Sequence, residues 1–193
     1  MIPFWSICRN WRARRHQRAM LPSRGNFLIT GTPGVGKTTL IKQLAGSLRD
    51  LNPVGFYTEE IREHGVRRGF RLVDFEGRES ILAHINVHGE YRVGKYGVDV
   101  ARLESFLHSL DFGRAPIVII DEIGRMECYS APFRQLVTRL LDSSQIFVAA
   151  IALKGTGFIA QVKARPDCTL DHVTVGNRDR LAREVADRIR RCC

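Results

Sequence analysis

The run G-T-P-G-V-G-K-T-T at positions 31–39 restricts what this chain can fold into more than any other stretch of it. Its first eight residues fit G-x-x-x-x-G-K-[ST], with Gly31, Gly36, Lys37 and Thr38 in the defining places. Such a run curls the backbone until its N–H groups converge on one point, which glycines permit because positive φ costs them little. A helix that starts at once adds the positive end of its dipole, so the loop is built to hold a chain of phosphates. Lys37 then reaches the outer phosphates, and the Thr38 hydroxyl lies where a Mg²⁺ ion would be held. The candidate nucleotide-binding residues here are Gly31, Thr32, Pro33, Gly34, Val35, Gly36, Lys37, Thr38 and Thr39.

The motif has meaning only between a buried strand and a helix. The run N-F-L-I-T at 26–30 has strand character. After Lys37, apolar residues recur at Leu40, Ile41, Leu44, Ala45, Leu48 and Leu51, which is one face of a helix. A second feature lies downstream, P-I-V-I-I-D-E at 116–122. Its aliphatic run suits a central parallel strand buried on both faces. It ends in two carboxylates, at the strand end where open α/β sheets take their ligands. Buried acids are costly unless paired, so an Asp-Glu step there argues for chemistry. Asp121 is the candidate to hold Mg²⁺ together with Thr38, and Glu122 to orient a water and take its proton.

Elsewhere strands and helices alternate. A strand is expected at 54–58, followed by antiparallel edge strands over 59–75 with a turn at His64-Gly65, then strands at 81–85 and 91–93. Residues 94–97 read as a loop, and Asp99 as the cap of a helix with Val100, Leu103, Phe106, Leu107 and Leu110 inward. Ser130 and Pro132 open another helix, 146–151 forms a strand, 158–164 a short helix and 170–175 a last strand. Asn177 caps a terminal helix with Leu181, Val185 and Ile189 inward and the pairs Asp179/Arg183, Glu184/Arg188 and Asp187/Arg191 outward. The pattern predicts a three-layer α/β fold of the P-loop NTPase type, with a mostly parallel central sheet and antiparallel edge strands. Arg62, Arg67, Arg68 and Arg71 lie on the edge strands, as a solvated face or as a source of charge for a transition state.

Charge enters the argument through its distribution. The net +10 includes +6 from residues 1–24, where six arginines stand without an acid, so the body is only mildly basic. Nucleic acid is therefore a partner only through that arm. Residues 1–24 read as a basic, disordered extension and 25–193 as the P-loop domain. Three readings of the arm stand in order: Met20 as the true start, a disordered arm, and a targeting segment. Five cysteines without C-x-x-C spacing fit reduced thiols in a cytoplasmic protein. The longest apolar run, at 146–153, is too short to span a bilayer, so no membrane role is expected, and a monomer is favoured.

Five blocks in register carry a resemblance. They are G-T-P-G-V-G-K-T-T (31–39), G-F-Y-T-E-E-I-R (55–62) with G-F at 69–70, V-G-K-Y-G-V-D-V (93–100), D-E-I-G-R-M-E (121–127) and N-R-D (177–179). Over about residues 25–190 the chain resembles the P-loop nucleoside-triphosphatases of the THEP type, which include the cancer-related nucleoside-triphosphatase. The resemblance implies a RecA-like domain that hydrolyses ATP, GTP and other NTPs with Mg²⁺ and little base preference. It matches Gly34, Gly36, Lys37, Thr38 and Thr39 to phosphate and metal binding, and Asp121 and Glu122 to the catalytic carboxylates. Arg125 falls where relatives often carry lysine, a cation after the carboxylates. Asn177 and Arg178 precede the last helix, where P-loop nucleotide kinases touch the base or ribose, although a plain helix cap explains Asn177 equally well. Two other functions remain open: a nucleotide or small-molecule kinase, and a nucleotide-gated module that binds RNA or protein.

Overall fold

A strand whose residues are apolar on both sides must be covered on both faces, and five helices among the described residues supply that cover. The computed structural model describes residues 25–193; the extension at 1–24 lies outside the described residues. In chain order the elements are β1 (Asn26–Gly31), α1 (Lys37–Ser47), β2 (Val54–Glu63), β3 (Val66–Asp74), β4 (Glu79–His84), β5 (Arg92–Val93), β6 (Tyr96–Val98) and α2 (Val100–His108). They continue as β7 (Ile117–Ile123), α3 (Ala131–Asp142), β8 (Ile146–Ala152), α4 (Phe158–Lys163), β9 (Cys168–His172) and α5 (Arg178–Arg190).

The strands form one sheet in the order β5-β6-β4-β3-β2-β7-β8-β1-β9. From β2 to β9 the neighbours are parallel, and from β3 outward they are antiparallel. Alternation along the central strands feeds two separate cores. Phe27, Ile29, Ile117, Ile119, Val148 and Ala150 face α1 and α5. Leu28, Val118, Ile120, Phe147, Ala149 and Ile151 face the other layer, with Phe106 of α2 and Phe133 and Leu140 of α3. The three-layer α/β architecture expected from the sequence is the observed one.

Four local expectations are revised. Helix α1 ends at Ser47, and Leu51 sits in a short 3₁₀ turn after it. Tyr96 and Gly97, read as loop, form β6, which pairs with β5 across the Gly94-Lys95 turn, where Gly94 has φ 59°. The last strand is Cys168–His172 instead of 170–175. On α5 the observed pairs are Arg178–Asp179 and Arg180–Glu184, while Arg188 leaves the helix surface to bind Asp171 of β9. Asp171 offers a half-buried carboxylate, a better partner than a solvent-exposed helix pair. Among the described residues no helix is long and apolar enough to cross a membrane.

Candidate active site

The loop between β1 and α1 has the conformation its glycines allow: φ is 77° at Gly34 and 104° at Gly36. Thr32, Pro33 and Gly34 are exposed at its tip, and Thr39 is exposed on the first turn of the helix. Val35 turns inward as an anchor in the core, and its N–H donates to Thr32 O at 3.2 Å. Gly31 has no room for a side chain, since a Cβ there would stand 2.8 Å from Val173 O in the β9–α5 connection. Gly36 is crossed by Arg178, whose Cδ and Nη1 would lie 2.6 Å from an added Cβ. The start of α5 is thus laid against the phosphate loop, 142 positions away in the chain.

Lys37 is buried to 8% exposure, with Nζ donating to Gly31 O at 3.3 Å and paired with Glu122 Oε2 at 3.4 Å. The Thr38 hydroxyl donates to Asp121 Oδ2 at 2.5 Å. The two segments singled out in the sequence therefore meet, side chain to side chain. A register irregularity helps both acids face the site. Ile120 pairs with Ala149 and Ile123 with Ile151, so Asp121 and Glu122 together stand opposite Ala150 alone. A bulge of this kind re-aims side chains that would otherwise alternate.

Asp121 is 2% exposed, and burial raises its carboxyl from the ordinary value to about 6. The Thr38 hydroxyl pulls it down, and the neighbouring Glu122 charge pushes it up. The Thr58 hydroxyl of β2 donates to Asp121 O at 2.7 Å and ties a third strand to the site. A buried carboxylate with a hydroxyl on it is a hard-oxygen pair suited to Mg²⁺, which takes one or two protein ligands and fills the rest with phosphate and water. No group of three or more His, Cys, Asp or Glu able to hold a metal occurs among the described residues.

Arg125 is exposed just past the carboxylates and makes no ion pair among the described residues. Asn177 precedes α5 without capping it by its side chain. Instead Oδ1 accepts from Thr174 N–H at 2.7 Å and Nδ2 donates to His172 O at 2.9 Å, closing the loop that carries Arg178. The four edge-strand arginines are engaged by acids: Arg62 and Arg67 by Glu60, Arg68 by Glu63, and Arg71 by Glu59 and Glu79. This favours the solvated-face reading of them. Sequence reasoning passed over Thr58, Glu127 and Lys163. Glu127 is 4% exposed behind the carboxylates, and its only signal was its place in the D-E-I-G-R-M-E block.

A sheet with the phosphate loop on β1, the acidic tip on β7 and β8 between them defines a P-loop NTPase fold. A family model described as NTPase matches residues 26–186, and the chain belongs to that family. It is 44% identical over 162 residues to a nucleoside-triphosphatase THEP1 of Thermotoga sp. (strain RQ2), covering 82% of this chain and 92% of that one. Among solved structures, THEP1 from Aquifex aeolicus superposes with a TM-score of 0.77 at 34% identity, covering 83% of this chain and 96% of that one. A human cancer-related nucleoside triphosphatase gives 0.72 at 33% identity, covering 85% and 96%.

Proposed function

We propose that this NTPase hydrolyses nucleoside triphosphates to diphosphate and orthophosphate, with Mg²⁺ and with broad tolerance of the base. The observation that carries the reading is the convergence of Thr38 on Asp121 and of Lys37 on Glu122 within one strand end. The loop amides and Lys37 bind and orient the β- and γ-phosphates, while Thr38 and Asp121 would hold the metal. Held by Thr38 and Asp121, Mg²⁺ would neutralise charge on the phosphate oxygens. Glu122 takes the proton of the attacking water as its oxygen bonds to the γ-phosphorus and the bridging P–O bond breaks. Arg125 and Arg178 add positive charge at the rim, so the catalytic set is Lys37, Glu122 and Arg125.

Base tolerance is supported by the Asn177 amide, which is held at both ends inside its own loop and so is not free to turn towards a base edge. Arg178 offers a flat guanidinium, and every base presents a π-face to such a cation. The relatives named nucleoside-triphosphatase THEP1 support the reaction class. The test is phosphate release from ATP, GTP, CTP and UTP with a Mg²⁺ titration, with Glu122→Gln beside the parent chain. Glu122→Gln is expected to bind Mg·NTP and to lose hydrolysis by about 10²-fold or more, as for a lost acid–base group. Full activity in that variant removes Glu122 from its role. Transfer to an added hydroxyl acceptor faster than release of phosphate makes the chain a kinase.

A further inference from the structure

Phosphoryl transfer spreads charge over three equatorial oxygens, and enzymes of this class meet it with a second cation besides the loop lysine. The edge-strand arginines are held by acids, and Arg125 is exposed and without an anchoring bond among the described residues. Lys163 is placed differently. It is the last residue of α4, and its Nζ donates to Leu153 O at 2.7 Å.

Leu153 follows the final residue of β8, the strand between β1 and β7. In register, Gly31 of β1 pairs with Ala152 and Ile123 of β7 with Ile151. Lys37 is anchored on Gly31 O. Two ammonium groups therefore rest on carbonyls of adjacent strand ends, one register step apart, and Glu122 projects from the third strand beside them. The charges of Glu122 and Lys37 both reach Lys163. Burial lowers its pKa first, Glu122 raises it, and Lys37 lowers it further. Ile159 and Val162, buried in the core, fix the short helix so that the stem of Lys163 has little freedom. An ammonium carries three N–H bonds, and Leu153 O takes one.

We propose that Lys163 is a further active-site cation, anchored where Arg125 is not, donating to the γ-phosphoryl oxygens as they gain charge in the transition state. The inference rests on the hydrolytic reading above and names a residue of that same site. Loss of an interaction made mainly in the transition state lowers kcat and leaves ground-state binding nearly intact, whereas loss of a strut between α4 and β8 affects stability alone.

The test uses the full chain with Lys163→Met, which keeps the stem, Lys163→Gln as a second neutral variant, and Lys163→Arg. For each, kcat for ATP is measured with Mg²⁺, together with thermal unfolding and two affinities. One is for the β,γ-imido analogue of ATP, and the other for ADP with aluminium fluoride, which mimics the transferring group. In both neutral variants kcat and the ADP–aluminium fluoride affinity are expected to fall together by about 10²-fold, the scale of one lost transition-state donor. Binding of the imido analogue is expected to change by less than about threefold, and Lys163→Arg to recover part of both losses. Equal losses for the two ligands, or loss of thermal stability with kcat preserved, overturn the proposal. So does selective loss in Arg125→Ala with none in the Lys163 variants. A parent chain that releases no phosphate overturns the hydrolytic reading and this proposal with it. A parent that hydrolyses ATP beside an equally active Lys163→Met overturns this proposal alone.

Discussion

Gly124 has no side chain because two carboxylates meet over it: a Cβ there would stand 2.8 Å from Glu127 Oε2 and 3.1 Å from Glu122 Oε1. Glu127 is the inner of the two, and its carboxyl is pushed up to about 8, by burial first and then by the Glu122 and Asp121 charges. The folded chain keeps that proton over a range where an unfolded glutamate, near 4.5, has lost it. Stability falls with rising pH wherever the folded state binds more protons. Glu127 therefore lowers stability progressively from about pH 4.5 to about pH 8, and the full penalty persists above that. Glu127→Gln puts a neutral group of the same shape in the same place. Thermal unfolding without nucleotide or added metal is expected to show a higher Tm than the parent at pH 8, with the gap closing towards pH 4.5. A gap independent of pH would mean that Glu127 is ionised in the folded chain.

Residues such as Lys37 and Asp121 were legible because their motifs fix residue type at fixed spacing. Glu127 and Lys163 were not, because nothing local marks either. One becomes notable only through burial and the other only through the carbonyl it reaches. The same is true of Arg67, Arg68 and Arg71, whose acids lie across the hairpin or one strand further out, whereas Arg62 pairs with Glu60 of its own strand.

Elements were readable wherever one face alone is buried. Helix α3 shows this, with Phe133, Leu136, Val137, Leu140 and Leu141 buried in the spacing the sequence predicts. Its cap was also legible. The Ser130 hydroxyl accepts from Phe133 N–H at 3.1 Å, and it donates to Glu104 Oε1 of α2 at 2.9 Å. One fully buried hydroxyl thus ends one helix and ties it to another. Ser130→Ala removes the cap and leaves a carboxylate short of a partner, so a loss of about 1–2 kcal/mol is expected in urea unfolding. A loss within experimental error would mean that water replaces both bonds. At α5 the same logic misled in part, because an amide before a helix can serve the loop as well as the helix, and Asn177 serves the loop. Strand β6 was missed because three residues, one of them Gly97, are too few to display a period of two.

At the scale of the whole molecule, two cores lie on either side of one sheet among the described residues, 25–193. Both segments of the candidate site belong to that body, so removal of residues 1–24 is expected to leave NTP hydrolysis and Tm unchanged. A parallel assay of both chains, with RNA present and absent, checks this, and a loss in the shortened chain would give the arm a part in catalysis. The sequence by itself determined the nature of the phosphate loop, the acidic strand tip, the helices and the fold class, since each is written in neighbouring residues through spacing, composition and caps. Tertiary structure alone decided the strand order that sets β8 between β1 and β7, the contact of Thr38 with Asp121 across 83 positions, and the places of Arg178 and Lys163. Those depend on which distant strands pair and on what burial leaves beside them, and local periodicity carries no record of either.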